Sequence, residues 1–340
     1  MEFPGEKLVL KLWETLAEKG VGTALQPWHE KRLGIARNQV RRDEILMLAE
    51  AEKLAAEIKA GRASYCNSGD IKYLTQQNYD PLGSGRVEPT LGALGLPARA
   101  MEVESAEAIR KEVNTSKAII VAENILANET QTPSEEAVDD DWLFSWRDYA
   151  GKVSSTELQD LWGRVLAGEV KTPGSYSLRT LEFLKNISKE EAELISKVAQ
   201  FVVQGQIYRN KESFLEAAGL QFSTLLFLQE IGILAGVEAV GLQTTWSSSV
   251  QNKYQRAFIS DKKVILLEHD DADKEAVSEI YMITSVGKQI LALASFGSND
   301  EYLMSIAKGY AAQGYKVKIG DWIQLNADVG NIRNAKLVEV

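Results

Sequence analysis

The chain has 340 residues, 38 basic and 48 acidic side chains for a net charge of −10, one cysteine and two histidines. At roughly 150 residues per domain the length suits about two domains, each able to bury its own core. A lone Cys66 excludes an intramolecular disulfide framework and a multi-thiolate metal site, and His29 with His269 leaves little for histidine-based acid–base chemistry.

No segment approaches about 18 consecutive apolar residues, and Met1 to Gly5 carries no basic run leading into an apolar one, so a soluble, cytoplasmic protein is expected. The acidic balance weighs against generic nucleic-acid affinity, because neutralising phosphates needs a basic surface.

In chain order, Leu8, Leu12, Trp13 and Leu16 fall on one face of a helix that starts after Pro4 and stops at Gly20. Its other face mixes Glu6, Lys7, Lys11, Glu14 and Glu18, which favours docking on protein over a membrane surface; attachment to a membrane through residues 4–19 is the alternative. From about Glu30 to Ala60 one long helix is expected, with Leu33, Val40, Met47 and Leu54 at every seventh residue and Asp43 and Glu44 interrupting the companion row. Lys31, Arg32, Arg37, Arg41 and Arg42 form a basic run at 31–42, read first as a solvated helix face and second as a contact for nucleic acid or acidic lipid.

Residues 61–100 are rich in Gly and Pro and read as a flexible linker with at most a short helix near Asp70 to Gln77. A helix from about Val103 to Leu126 follows, and then an acidic stretch from Glu129 to Asp141. Trp142, Phe144 and Trp146 mark a short helix, and Leu158, Leu161, Trp162, Val165 and Leu166 the buried face of another, capped by Ser154 or Ser155 and ending near Gly168. Ser188 with Glu191 is a capping box for a helix whose apolar face is Ala192, Ile195, Ala199 and Val202. Beyond residue 205 a helix pair (Ser213 to Ala218, Ser223 to Gln229), extended segments at Val237 to Thr245 and Ala257 to Glu268, and Ile280 to Thr284 feeding a helix through Leu291 outline a winged helix. A helix over Glu301 to Ala312 and strands at Tyr315 to Leu325 and Ile332 to Val338 form a small appendage.

The fold class is therefore mainly α with a C-terminal α+β part: an N-terminal helical arm (1–60), the linker (61–100), a helical domain (101–204), a winged-helix-like domain (205–296) and an α/β appendage (297–340).

Catalytic groupings are not found. The chain has no phosphate-binding GxxxxGK[ST] and no GxSxG elbow. Asp43 with Glu57-Ile58-Lys59, and Asp160 with Glu169-Val170-Lys171, match the letters of a metal-dependent nuclease but fall on helices where adjacent strands are needed. Glu268, His269, Asp270, Asp271 and Asp273 read as a solvated turn, His29 as a hinge residue, and Cys66 as a thiol without a positioned base. The would-be recognition helix, Gln221 to Glu230, contains no Lys or Arg, so the winged-helix outline reads as a packing or protein-contact module.

Three stretches resemble known families. Pro4-Gly5-Glu6-Lys7-Leu8 through Lys11 to Leu16, followed by the arginine-bearing Arg37 to Lys53 helix, resembles the opening of an uncharacterised bacterial domain-of-unknown-function family. Leu158 to Gly168 with Phe183 to Ala192 is similar to the core of that family and of Abi-alpha proteins, as are Leu228 to Leu234 and Tyr281 to Gly287 to their winged-helix-like end. The resemblance implies an abortive-infection, anti-phage setting and brings no catalytic residue with it.

The expected function is a non-enzymatic interaction or regulatory protein that self-associates or binds a protein partner through its N-terminal helices. Trp13, Val40, Met47 and Leu54 would supply apolar contacts and Arg37, Arg41 and Arg42 the polar rim, with no metal and no cofactor. The alternative is a nucleic-acid-binding effector or nuclease using the basic run.

Overall fold

A computed structural model of the chain describes residues 4–25, 37–65, 71–73, 96–324 and 330–339. His29, Cys66 and the N-terminal part of the expected 30–60 helix lie outside these residues. Eleven α-helices dominate the described residues, and strands concentrate toward the C-terminus, which gives the mainly helical class with an α+β end. The chain divides into two compact units, Met1–Leu181 and Glu182–Val340.

The first unit is helical. Helix α1 (Glu6–Glu18) buries Leu8, Val9, Leu12, Trp13 and Leu16, and ends where Gly20 turns left-handed at φ +62° and Val21 N–H closes back on the Leu16 carbonyl at 2.9 Å. Gly5, just before it, is fixed by close approach: a Cβ there would stand 1.7 Å from the Leu126 carbonyl oxygen. The face offered above as a docking or membrane surface is thus in the core, together with Trp13.

Helix α2 (Arg37–Lys59) is followed by a short antiparallel ribbon of β1 (Ala63–Tyr65) and β2 (Ile71–Tyr73), in register Ala63 with Tyr73 and Tyr65 with Ile71. The ribbon stands where a linker with a short helix near Asp70 is expected; Ile and Tyr at alternate positions favour a strand, and buried Ala63 packs with Ala55, Ile58 and Ala106.

Helix α3 (Leu96–Ala127) is the spine of the unit, 32 residues and about 48 Å long at 1.5 Å per residue. It begins well before the expected Val103, because Pro97 falls in the first turn, where a missing N–H costs nothing. Its buried polar side chains are satisfied across the unit: Asn114 Nδ2 donates to the Gly151 carbonyl at 3.0 Å, and Gln159 Nε2 to Asn114 Oδ1 at 3.3 Å.

Helices α4 (Asp140–Ala150) and α5 (Thr156–Lys171) are capped by Asp139 and Ser155. Trp142 and Trp146, one turn apart, are buried with their indole N–H groups donated to the carbonyls of Tyr176 and Trp162, while Phe144 points outward. On α5 Trp162, Val165 and Leu166 are buried as the periodicity requires, but Leu158 lies on the exposed side. The helix ends at Lys171, one turn after Gly168, and that glycine is a packing site: a Cβ there would stand 2.6 Å from the Tyr176 ring. Helix α6 (Leu178–Asn186) crosses from the first unit into the second.

The second unit opens with α7 (Lys189–Ala199), whose capping box forms as expected, with the Glu191 carboxylate accepting from Ser188 N–H at 2.7 Å and Ser188 Oγ from Glu191 N–H at 3.1 Å. After β3 (Gln206–Tyr208) come α8 (Glu212–Ala217), α9 (Phe222–Glu230), β4 (Leu234–Ala235) and β5 (Gln243–Trp246). The segment expected as one extended run is a hairpin, β6 (Tyr254–Ser260) and β7 (Lys263–His269), turned at Asp261 with φ +48°. Then follow β8 (Ala276–Ile283), α10 (Ser285–Leu291), α11 (Asp300–Ala312), β9 (Lys316–Gln324) and β10 (Gly330–Leu337).

Two sheets result. In one, β8 is flanked by β3 and β4 and also pairs β5; the other runs β10-β9-β7-β6, all antiparallel. The hairpin expected as a wing therefore pairs with β9, and the segment 297–340, expected as an appendage, is woven into the sheet of residues 254–269. An aromatic core seals α11 to this unit, with Phe258 stacked on Tyr310 at 5.7 Å and Tyr310 OH bridging Tyr208 OH (3.1 Å) and Ser278 Oγ (2.6 Å).

Candidate interaction surface

Helix α2 carries most of the residues the sequence singles out, and its inward and outward faces are chemically distinct. Glu44, Leu48, Ala55 and Ile58 are buried, with Ala51 half-buried between them. This is one helical stripe, offset from the Leu33, Val40, Met47, Leu54 row. Glu44 does not break that stripe. It is 0% exposed and accepts from Arg41 Nη1 at 3.0 Å, one turn earlier on the same helix.

Arg41 is the clamp of the α2–α3 seam. Its Nη2 also donates to Glu123 Oε2 at 3.0 Å and to Asn124 Oδ1 at 2.9 Å, both on α3. Farther along, Lys117 pairs with Glu52 at 2.9 Å, and Arg99 donates to the Ile58 and Lys59 carbonyls at 3.3 and 2.6 Å. A guanidinium at these last carbonyls is where the helix dipole favours positive charge. Arg62 forks onto Glu57 at 2.6 and 2.9 Å, and the guanidinium holds that carboxyl below its ordinary range.

The outward face presents Arg42, Asp43, Ile45, Leu46, Ala49, Glu50 and Lys53. Ile45 is 55% and Leu46 53% exposed, two adjacent large apolar side chains on one helix. Periodicity does not single them out, because the Leu33, Val40, Met47, Leu54 row lies one position off the buried stripe.

The other candidates fall as follows. Trp13 is 4% exposed and belongs to the core, so it supplies no outward contact. Arg41 is likewise turned inward and is not part of a rim. Met47 and Leu54 are half-buried, Leu54 against the Ala55, Ile58 and Ala63 cluster, and Arg42 is exposed. Arg37 and Val40 lie on α2, but their side chains are outside the described ones.

The acidic letters do not converge. Glu169 is on α5, buried, and accepts from the N–H groups of Gly174 (2.6 Å) and Tyr176 (2.9 Å), while burial pushes its carboxyl above the ordinary range. Asp160 pairs with Arg164 and Lys171 with Glu129. Glu268 is held between Lys318 (2.7 Å) and Lys253 (3.5 Å), chiefly the hydrogen bond from Lys318 keeping its carboxyl low, and His269 Nδ1 accepts from Asp271 N–H. Among the described residues no group of three or more His, Cys, Asp or Glu side chains is placed to hold a metal ion, and no helix is long and apolar enough to cross a membrane.

Residues 98–307 match a family model described as a protein of unknown function, DUF2806. The chain belongs to the DUF2806 family. The matched stretch runs from the first turns of α3 into α11 and so takes in parts of both units, while the outward face of α2 precedes the DUF2806 match. No curated protein and no solved structure matches the chain.

Proposed function

We propose that this DUF2806 protein works by association with a macromolecule, first with a second copy of itself, through the outward face of α2, as a regulatory component of bacterial anti-phage defence. The observation that carries the association is the exposed Ile45–Leu46 pair on a helix whose opposite face is anchored by Arg41, Leu48 and Ile58. A large apolar pair kept in water on an anchored helix is an unspent hydrophobic surface. Met47 and Leu54 border it, and Arg42 supplies a charged rim.

A second copy suits this face because its charges balance. Arg42 and Lys53 stand beside Asp43 and Glu50, two cations and two acids, so a twin meets the face without net charge repulsion. The defence setting rests on the resemblance of Leu158 to Gly168 and Phe183 to Ala192 to Abi-alpha proteins.

The nucleic-acid reading is weaker on two counts. Arg41, from the basic run, is occupied by two carboxylates, and α9 presents exposed Phe222 and Phe227 with no Lys or Arg. Sedimentation velocity over a range of concentrations tests the proposal: the wild-type chain forms a dimer, and Leu46→Glu remains monomeric with unchanged helix content. A wild-type chain that stays monomeric throughout rejects it. A mobility shift on DNA or RNA that weakens steeply with salt and is lost in Arg42→Ala would favour the other reading.

A further inference from the structure

In the second unit, a cleft of about 630 Å³ opens between α11 and the turn leading into α8. This volume lies in the range of small-molecule sites, about 300–1,000 Å³, and the cleft is widely open to solvent. Its floor is apolar, and Phe214 there rests on a buried tyrosine. Phe214 lies edge-on to Tyr302 at 6.0 Å, and Tyr302 is itself buried, its hydroxyl accepting from Tyr208 N–H at 2.8 Å. Beside Phe214 lies the side chain of Met304, which remains 40% exposed, an adaptable thioether facing solvent.

Lys211 and Lys308 both line this cleft, and neither has a hydrogen bond or ion pair among the described residues. Elsewhere in the same unit, Lys253, Lys263 and Lys318 are each tied to a carboxylate. Gly309 leaves the helix bare beneath the Lys211 ammonium: a Cβ built there meets only Lys211 Nζ, at 3.9 Å. Asp300 and Glu301 line the cleft from the first turn of α11, two turns before Lys308, so the cavity is polarised along the helix.

We propose that this cleft binds a small amphipathic monoanion, with its apolar body on Phe214 and Met304 and its anionic head between Lys211 and Lys308. The apolar floor supplies the burial, the two ammonium groups select a negative head, and the two acids oppose a second negative charge at the far end. The site is independent of the α2 face.

Calorimetric titration of the full-length chain tests this, with decanoate below its micellar concentration, decanol and inorganic phosphate as probes. Decanoate binds saturably at one site per chain, decanol at least fivefold more weakly, and phosphate more weakly still. Lys211→Gln and Lys308→Gln each weaken decanoate at least fivefold, with unfolding midpoints unchanged, and Met304→Glu abolishes binding. Leu46→Glu binds decanoate as the wild type does. Three results would each overturn the proposal: decanol or phosphate binding as tightly as decanoate, both lysine variants retaining wild-type affinity, or no saturable binding of decanoate.

Discussion

Replacing Arg41 by alanine should be among the most damaging single changes in the first unit that leave the apolar core untouched. Glu44 is 0% and Glu123 7% exposed, and Arg41 supplies a 3.0 Å contact to each. Removing one member of a buried ion cluster leaves charge without compensation and typically costs about 3–5 kcal/mol. Both carboxylates keep other interactions and Arg41 is itself part-exposed, which places the expected loss near the lower end, about 3 kcal/mol. The attraction is not itself worth that much, since taking three charged groups out of water offsets most of it. The triple change Arg41→Met, Glu44→Leu, Glu123→Leu should therefore recover most of the stability lost in Arg41→Ala. Urea unfolding followed by circular dichroism measures both. A loss below about 1 kcal/mol, the size of an exposed pair, would refute the burial argument, as would a triple variant less stable than Arg41→Ala.

Glu169 offers a test in pH. Burial raises its folded pKa above the unfolded value, so the folded state binds the proton more tightly. Its contribution is fully present below the unfolded pKa and is lost as pH rises through the raised one. Glu169→Gln should flatten that part of the stability-against-pH curve; because its one carbonyl oxygen cannot satisfy both Gly174 and Tyr176 N–H groups as well, it should also cost about 1–3 kcal/mol at acidic pH. A variant with the wild-type pH slope would assign that slope to other groups. At the α3–α5 contact, a Cβ on Gly163 would stand 2.5 Å from Val121 Cβ and 2.8 Å from the Ala118 carbonyl oxygen. Gly163→Ala should lower stability by about 1–3 kcal/mol through overpacking, and Val121→Ala should not restore it, because alanine keeps the Cβ and the Ala118 carbonyl stays in place; thermal unfolding reads both.

Local chemistry was legible from the sequence. The Ser188–Glu191 box, the Ser155 cap and the buried Trp162, Val165 and Leu166 each depend on residues within two helical turns, so spacing alone specifies them. The class was legible for the same reason, since helix-period stretches dominate up to about residue 204 and period-two stretches gather after it. On α2, spacing specifies the helix but not its face, because apolar letters alone make Glu44 an interruption of the row.

What spacing cannot supply is the identity of a partner distant in the chain. Glu44 can be buried because Arg41 lies one turn away and Glu123 eighty-two residues beyond Arg41 shares the same guanidinium. Gly168 has to be a glycine because the Tyr176 ring fills the space of a Cβ, and β9 joins the hairpin of residues 254–269 by pairing with a strand some fifty residues earlier. The residues fixed which segments coil and which extend. Only their packing decided which faces were left to water, because burial of a charge or a bare helix surface depends on what comes to lie against it.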